Sequence, residues 1–340
     1  MSPFNRPTLA DVAKAAGVSL KTASRALRRE YGVSAATADR VWEVAHGLGF
    51  RPNLLARSLA SGRPSSAVGL IIGDVADPFF AAVAGAVERC LESRDLQLIT
   101  ASHHEDAARQ RKIVRALVER RVDALLIVPA PGDAACLQPD IQHVQAVVAL
   151  DRPMRGIDVD AVVSDNRAGA ATAVRAFVRE GHTRIAAVGN DPRVWTLQER
   201  FAGYRAALAE AGLVEDARLM CMSAASAELS RQAVEHMLEL ADPPSAILAT
   251  QNVCGRGAIR AMLATGRALP LAVFDETSDP DLLALTPRVI SSDPWELGSV
   301  ATKMALSRID GSREPRTIVV LPPLFDNVAL SATTATQRDE

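Results

Sequence analysis

The stretch TLADVAKAAGVSLKTASRAL, residues 8–27, decides how the N-terminal part of this chain folds. Leu9, Val12, Ala13 and Ala16 recur at i, i+3, i+4 and i+7, the spacing of one helix face. Thr8 stands just before them and Asp11 three residues on, which predicts a capping-box start. AAGVS (15–19) then breaks the period. Gly17 supplies the positive φ of a tight turn, and the Ser19 hydroxyl is placed to cap a second helix. In that helix Ala23, Ala26 and Leu27 face inward, while Leu20, Lys21, Ser24 and Arg25 face outward. Two short helices joined by a glycine-containing turn, the second with a basic polar face, describe a helix-turn-helix.

Working outward, a polar connection (Arg28 to Gly32) leads to Ser34, which can cap a third helix with Ala38, Val41, Val44, Ala45 and Leu48 on its apolar face. Phe50 joins that core and Arg51-Pro52 ends the unit, which is close to the lower size limit for independent stability. Asn53–Ala60 is helix-compatible but only about two turns long, and isolated helices that short are marginal in water. It should be ordered only when something holds it. SGRPSS (61–66) reads as a linker.

From Ala67 the texture changes to aliphatic runs separated by helical stretches of 10–20 residues, the rhythm of buried parallel strands in βαβ units. VGLIIGDV (68–75), LQLITAS (96–102), VDALLIV (122–128), AVVALD (146–151) and AVVSDN (161–166) come first. RIAAVGN (184–190), a helix over 198–211, AILATQN (246–252), a helix over 257–265, LAVFDE (271–276) and VIS (289–291) follow. Two doubly wound parallel sheets hold these nine or ten strands better than one very wide sheet. The domain reading is a headpiece over 1–52, a hinge helix and linker over 53–66, a two-lobed body over 67–330 and a polar tail over 331–340. The N-lobe comprises about 67–162 plus 293–321, and the C-lobe about 163–292 plus 322–330.

A net charge of −2 over 340 residues hides an asymmetry. Residues 1–64 carry ten Lys/Arg against four acids, and the remainder carries 28 against 36, so contact with a polyanion would be confined to the N-terminus. Hydrophobic content of 48% excludes wholesale disorder. Cys90, Cys136, Cys221 and Cys254 show no CxxC and no zinc spacing, and read as buried free thiols in a reducing compartment. MSPFNRPT lacks the apolar core of a signal peptide, and no apolar run approaches the ~20 residues of a membrane span, so a cytoplasmic protein is expected.

The order of basic helix-turn-helix, conditional short helix and two-lobed α/β body resembles the lactose-repressor type (LacI/GalR) of bacterial transcription regulators. TLADVAKAAGVSLKTASRAL looks like that family's headpiece, VSAATADRV (33–41) and LGFRPN (48–53) like its third helix and hinge approach, and NLLARSLASG (53–62) like its hinge helix. In the body DPFF (77–80), RVDALLI (121–127), LDRP (150–153) and VSDNRAG (163–169) fit, as do GHTRIAAVG (181–189), ERFAGYRAAL (199–208) and VFDE (273–276). The resemblance implies a body like that of periplasmic binding proteins. Three departures stand out. Arg28 and Arg29 replace an Asn and a small residue, ALPLAVFDE (268–276) is a few residues short, and MSAASAE (222–228) lacks an aromatic that several sugar-binding members carry.

Given the resemblance, the second helix enters the major groove, where Leu20, Lys21 and Arg25 meet base edges. Ser19, Thr22, Ser24 and Asn53 fix register on phosphates. With Asn53 and Ala56, Leu59 lies on the hinge helix, where it would wedge into the minor groove. Paired hinge helices at the operator centre imply a symmetric homodimer and a pseudo-palindromic duplex site.

Ligands of two-lobed α/β bodies bind between the lobes, beyond the strands' carboxyl ends. Asp77, Phe79 and Phe80 follow the first strand, Asp151 and Arg152 the AVVALD run, and Arg200 sits at a helix start. Asn252, Asp275 and Asp293 end later strands, and Trp195, in a loop upstream of Arg200, would replace the missing aromatic. Charges at strand ends and Phe faces suit a monosaccharide or related polyol. HHED (103–106) reads as solvated loop rather than metal site, and GRG (255–257) as an incomplete phosphate loop. No metal, cofactor or catalytic constellation is expected. The reading is therefore a ligand-responsive, sequence-specific repressor rather than an enzyme. A cytoplasmic sugar-binding protein or sugar-metabolising enzyme on the same body is the alternative.

Overall fold

The structure is a computed structural model that describes residues 7–27, 29–50, 66–275 and 286–326. The hinge stretch with Asn53, Ala56 and Leu59, Arg28 and the polar tail lie outside the described residues. The chain divides between Ser65 and Ser66 into two compact units.

In the first unit, helices α1 (Leu9–Ala15), α2 (Leu20–Leu27) and α3 (Ala35–Gly47) surround Val12, Ala13, Ala23, Ala26, Val41 and Ala45. The start of α1 is a full capping box: the Asp11 carboxylate accepts the Thr8 N–H at 2.8 Å, and Thr8 Oγ1 accepts the Asp11 N–H. Gly17 has φ +65°, which turns the chain without a Cβ penalty. Ser19 and Ser34 accept the N–H groups of Thr22 and Thr37, so each later helix is also capped. Phe50 packs on this core, whereas Leu48 is 42% exposed: it caps the end of α3 and turns away from the apolar face expected for it.

In the second unit, β1 (Ala67–Ile72), β2 (Gln97–Ser102), β3 (Ala124–Ile127), β4 (Ala146–Asp151) and β5 (Asp160–Ser164) alternate with α4 (Pro78–Glu92), α5 (Ala107–Glu119) and a short α6 (Gln138–Ile141). The chain then runs through α7 (Asn166–Arg179), β6 (Ile185–Val188), α8 (Trp195–Glu210), β7 (Met220–Cys221) and α9 (Ala227–Leu238). β8 (Ala246–Ala249), α10 (Asn252–Thr265), β9 (Leu271–Phe274) and β10 (Arg288–Ser291) follow, then α11 (Pro294–Ile309), β11 (Ile318–Leu321) and β12 (Leu324–Asp326). The first sheet has the order β11-β5-β4-β3-β1-β2 and is parallel throughout. The second has the order β12-β10-β9-β8-β6-β7, and its edge strand β12 is antiparallel to β10. Two parallel sheets were therefore expected, and the second is parallel except at that edge. The short β7, β11 and β12 also raise the strand number beyond nine or ten, because edge strands of two to four residues leave little periodic signal.

β3, β6, β8 and β9 are buried along their whole length, which is why each appears as an unbroken aliphatic run. The chain crosses between sheets after β5, after β10 and after β11, and the Asp165 N–H to Leu321 carbonyl bond (2.9 Å) ties two of these crossings together. Gly255 and Gly257 need no phosphate to explain them. A Cβ at Gly257 would lie 2.4 Å from the Ala227 carbonyl oxygen, and one at Gly255 2.6 Å from Val273, so both permit α10 to pack closely. The cysteines are free, but only Cys254 is buried; Cys136, in a short turn of helix, is exposed and corrects the expectation of four buried thiols. Among the described residues no helix is long and apolar enough to cross a membrane.

Candidate ligand cleft and nucleic-acid interface

On α2 the outward face is as polar as its period requires. Leu20 is 55% exposed and Lys21 is exposed, while Ser24 and Arg25 are half-buried. Arg25 Nε lies 3.8 Å from Glu30, a loose exposed pair that leaves the guanidinium able to move to another acceptor. Ser19 and Thr22 hydrogen-bond each other at 2.8 Å as part of the cap. An exposed leucine beside a lysine at the first turn of a helix presents an apolar contact and a donor together, the pair a base edge and a thymine methyl accept.

Between the two sheets of the second unit lies a cleft of about 690 Å³, walled by residues from both lobes. Asp77, Phe79 and Phe80 line it from the start of α4, and Asp151 and Arg152 from the end of β4. Arg200, Asn252 and Asp275 line the opposite wall. The helix carrying Arg200 starts earlier than expected, so Arg200 occupies its second turn. Trp195 is the first residue of that helix rather than part of a loop. It is off the cleft lining, which takes the next residue, Thr196. Asp293 is also off the lining; its carboxylate caps α11, accepting the N–H groups of Trp295 (2.8 Å) and Glu296 (3.1 Å). The cleft's aromatic surface among the described residues is therefore Phe79 and Phe80, packed edge-to-face at 5.4 Å.

Asp151 and Asp275 hold corresponding places, the last residue of β4 and the first after β9, each with positive φ, 63° and 68°. Aspartate tolerates this backbone better than most side chains, and the turn aims both carboxylates into the cleft. Arg200 is held from three sides: Nε donates to Asn166 (2.7 Å), and Nη1 to the Thr250 carbonyl (2.6 Å) and to Asp275 (3.3 Å). Its guanidinium also stacks 4.0 Å over the Phe274 ring. Across the cleft Arg152 makes a two-pronged bond to Glu105 (2.6 and 2.8 Å) and donates to the Pro129 carbonyl. Burial pushes the Asp151 carboxyl up to about 6; Arg152 and Arg200 oppose the rise, and Asp275 and Glu105 add to it. Burial also raises Asp77, helped by repulsion from Asp275, although the Phe79 N–H bond holds it back.

Glu105, Gln251 and Arg256 line the cleft although the sequence did not mark them as ligand-binding residues. Gln251 Oε1 and Arg256 Nε are buried with no partner among the described residues, two polar atoms that a bound polar molecule would satisfy. In the HHED loop His104 and Asp106 are exposed, as a solvated loop requires, but its first residue is not. His103 is fully buried, with Nε2 2.9 Å from the Val128 carbonyl and Nδ1 accepting the Glu105 N–H, which holds Glu105 against Arg152. The positive φ of His104 and Glu105 folds the run back on itself.

Comparison with known proteins places both units. Residues 8–53 match the model "Bacterial regulatory proteins, lacI family", and residues 65–275 match "Periplasmic binding proteins and sugar binding domain of LacI family". The HTH-type transcriptional regulator GalR of Escherichia coli (strain K12) is 28% identical over 93% of this chain and 93% of its own length. A putative ribose operon repressor from Burkholderia thailandensis is 30% identical, covering 77% of this chain and 98% of its own, with a TM-score of 0.69. The lac repressor dimer bound to operator and the anti-inducer ONPF shares the fold at a TM-score of 0.80, covering 94% of this chain and 98% of its own at 22% identity.

Proposed function

The chain belongs to the lacI family of bacterial regulatory proteins, and we propose that it is a cytoplasmic repressor whose operator affinity is set by a monosaccharide or related polyol. The observation that carries this reading is one cleft holding Asp77, Asp151, Asp275, Arg152 and Arg200 around the paired rings of Phe79 and Phe80. Carboxylates accept hydroxyl protons, guanidinium groups donate to hydroxyl oxygens, and the rings take the apolar face of a sugar. The relative described as a putative ribose operon repressor agrees with that chemistry.

At the other end, α2 lies in the major groove with Leu20, Lys21 and Arg25 on base edges, and Ser19, Thr22, Ser24 and Asn53 on phosphates. Two chains related by a two-fold axis read a pseudo-palindrome, as the operator-bound lac repressor dimer suggests. The effector bridges the lobes and shifts them, and the marginal hinge helix over 53–60, with Ala56 and Leu59 toward the minor groove, forms or melts in response. A gel-shift assay on DNA upstream of the gene and its neighbours, at low salt, tests this. A retarded complex whose affinity changes with one of a panel of hexoses, pentoses and polyols is expected. Failure to retard any such fragment sinks the repressor reading.

A further inference from the structure

The charge in the cleft is not balanced. Among the described residues five carboxylates line it (Asp74, Asp77, Glu105, Asp151 and Asp275) against the guanidinium groups of Arg152, Arg200 and Arg256, two more carboxylates than guanidinium groups. The pairing is uneven as well. Arg152 is committed to Glu105, and Arg200 to Asp275, Asn166 and the Thr250 carbonyl. Among the described residues Asp151 is left with one contact to Arg152 Nε at 3.5 Å although it is 6% exposed, and Asp77 with the backbone N–H of Phe79 at 3.0 Å. Asp275 repels both. A neutral hydroxyl would donate one hydrogen bond to such a group and leave the surplus charge in place.

The missing partner is therefore a cation. We propose that the effector carries a protonated amine, as an amino sugar or aminopolyol does, and that its ammonium sits between Asp77, Asp151 and Asp275 against the rings of Phe79 and Phe80. Three carboxylates can share the three N–H donors of one ammonium, and an aromatic face adds its own attraction for a cation. The sugar hydroxyls then face Gln251 Oε1 and Arg256 Nε, buried atoms of the cleft with no partner among the described residues. This inference rests on the polyol reading of the same cleft and narrows it.

Matched probes test the charge alone. Thermal stabilisation of the full chain is measured in an amine-free buffer near pH 7 with each hexosamine, its parent hexose and its neutral N-acetyl derivative, and with 1-amino-1-deoxyalditols against the alditols. At least one amine is expected to bind about tenfold or more tighter than its neutral partners, the worth of one charge-assisted hydrogen bond. Asp77→Asn retains the helix cap, since Asn also accepts the Phe79 N–H, and is expected to shrink the ratio of amine to neutral-partner affinity at least severalfold. Stabilisation by neutral members as strong as by any amine overturns the ammonium and leaves the polyol reading standing. Stabilisation by no member of either class overturns both. An amine preference that Asp77→Asn leaves intact overturns the assignment of its position.

Discussion

Asp151 carries the cleft's electrostatics at the scale of one residue. Its carboxyl is raised from 3.8 to about 6 chiefly by burial, so the folded body holds that proton more tightly than the unfolded chain does. The sign follows: this contribution to stability is complete below pH ~4 and is lost as pH rises through about 6, by about 3 kcal/mol at most. Asn fits the left-handed backbone at this position and does not titrate. Urea unfolding of Asp151→Asn and the parent chain is expected to diverge between pH 4 and 6, with the parent falling relative to the variant. Parallel curves across that window contradict the burial of a charge there. Asp151 and Asp275 were legible from sequence because they end aliphatic runs, and strand ends point at the cleft. Glu105 and Arg256 were not, because their place depends on loop curvature and on which turn of a helix faces the other lobe.

Elements were legible where their causes are local. Thr8, Gly17, Ser19 and Ser34 each do in the structure what their side chains, or the lack of one, allow, so the three headpiece helices follow from neighbouring residues. The hidden elements were short sheet edges, and Trp195 was misplaced because its helix has no side-chain cap to announce its start. Helix contacts expose another non-local cause. At Gly257 the backbone of α9 comes within 2.4 Å of where a Cβ would stand. Gly257→Ala is expected to cost about 1–3 kcal/mol and lower the melting temperature of the body by several degrees; an unchanged melting curve would show that α9 and α10 do not pack this tightly. For the hinge stretch, the proposed minor-groove wedge predicts that Leu59→Ala loses specific operator affinity while keeping most non-specific binding, measured as competition by bulk DNA. Equal loss of both contradicts the wedge.

Over the whole molecule, two chemistries share one chain: a basic helix-turn-helix with an exposed Leu20 and Lys21, and an acidic two-lobed body with a cleft lined from both lobes. Three crossings join the lobes of the body, and linkage requires any effector-induced change in operator affinity to be matched by an equal change in effector affinity. Coupling of that kind usually amounts to ~1–3 kcal/mol. The central claim is that this coupling runs through the carboxylates of the cleft. Fluorescence anisotropy of a labelled operator fragment, titrated with protein in the presence and absence of saturating effector, measures it. The account predicts a shift of about 5- to 150-fold in operator Kd for the parent chain and none for Asp275→Ala with its fold checked by circular dichroism. An effector that leaves the parent's Kd unchanged, or shifts that of Asp275→Ala equally, would contradict it.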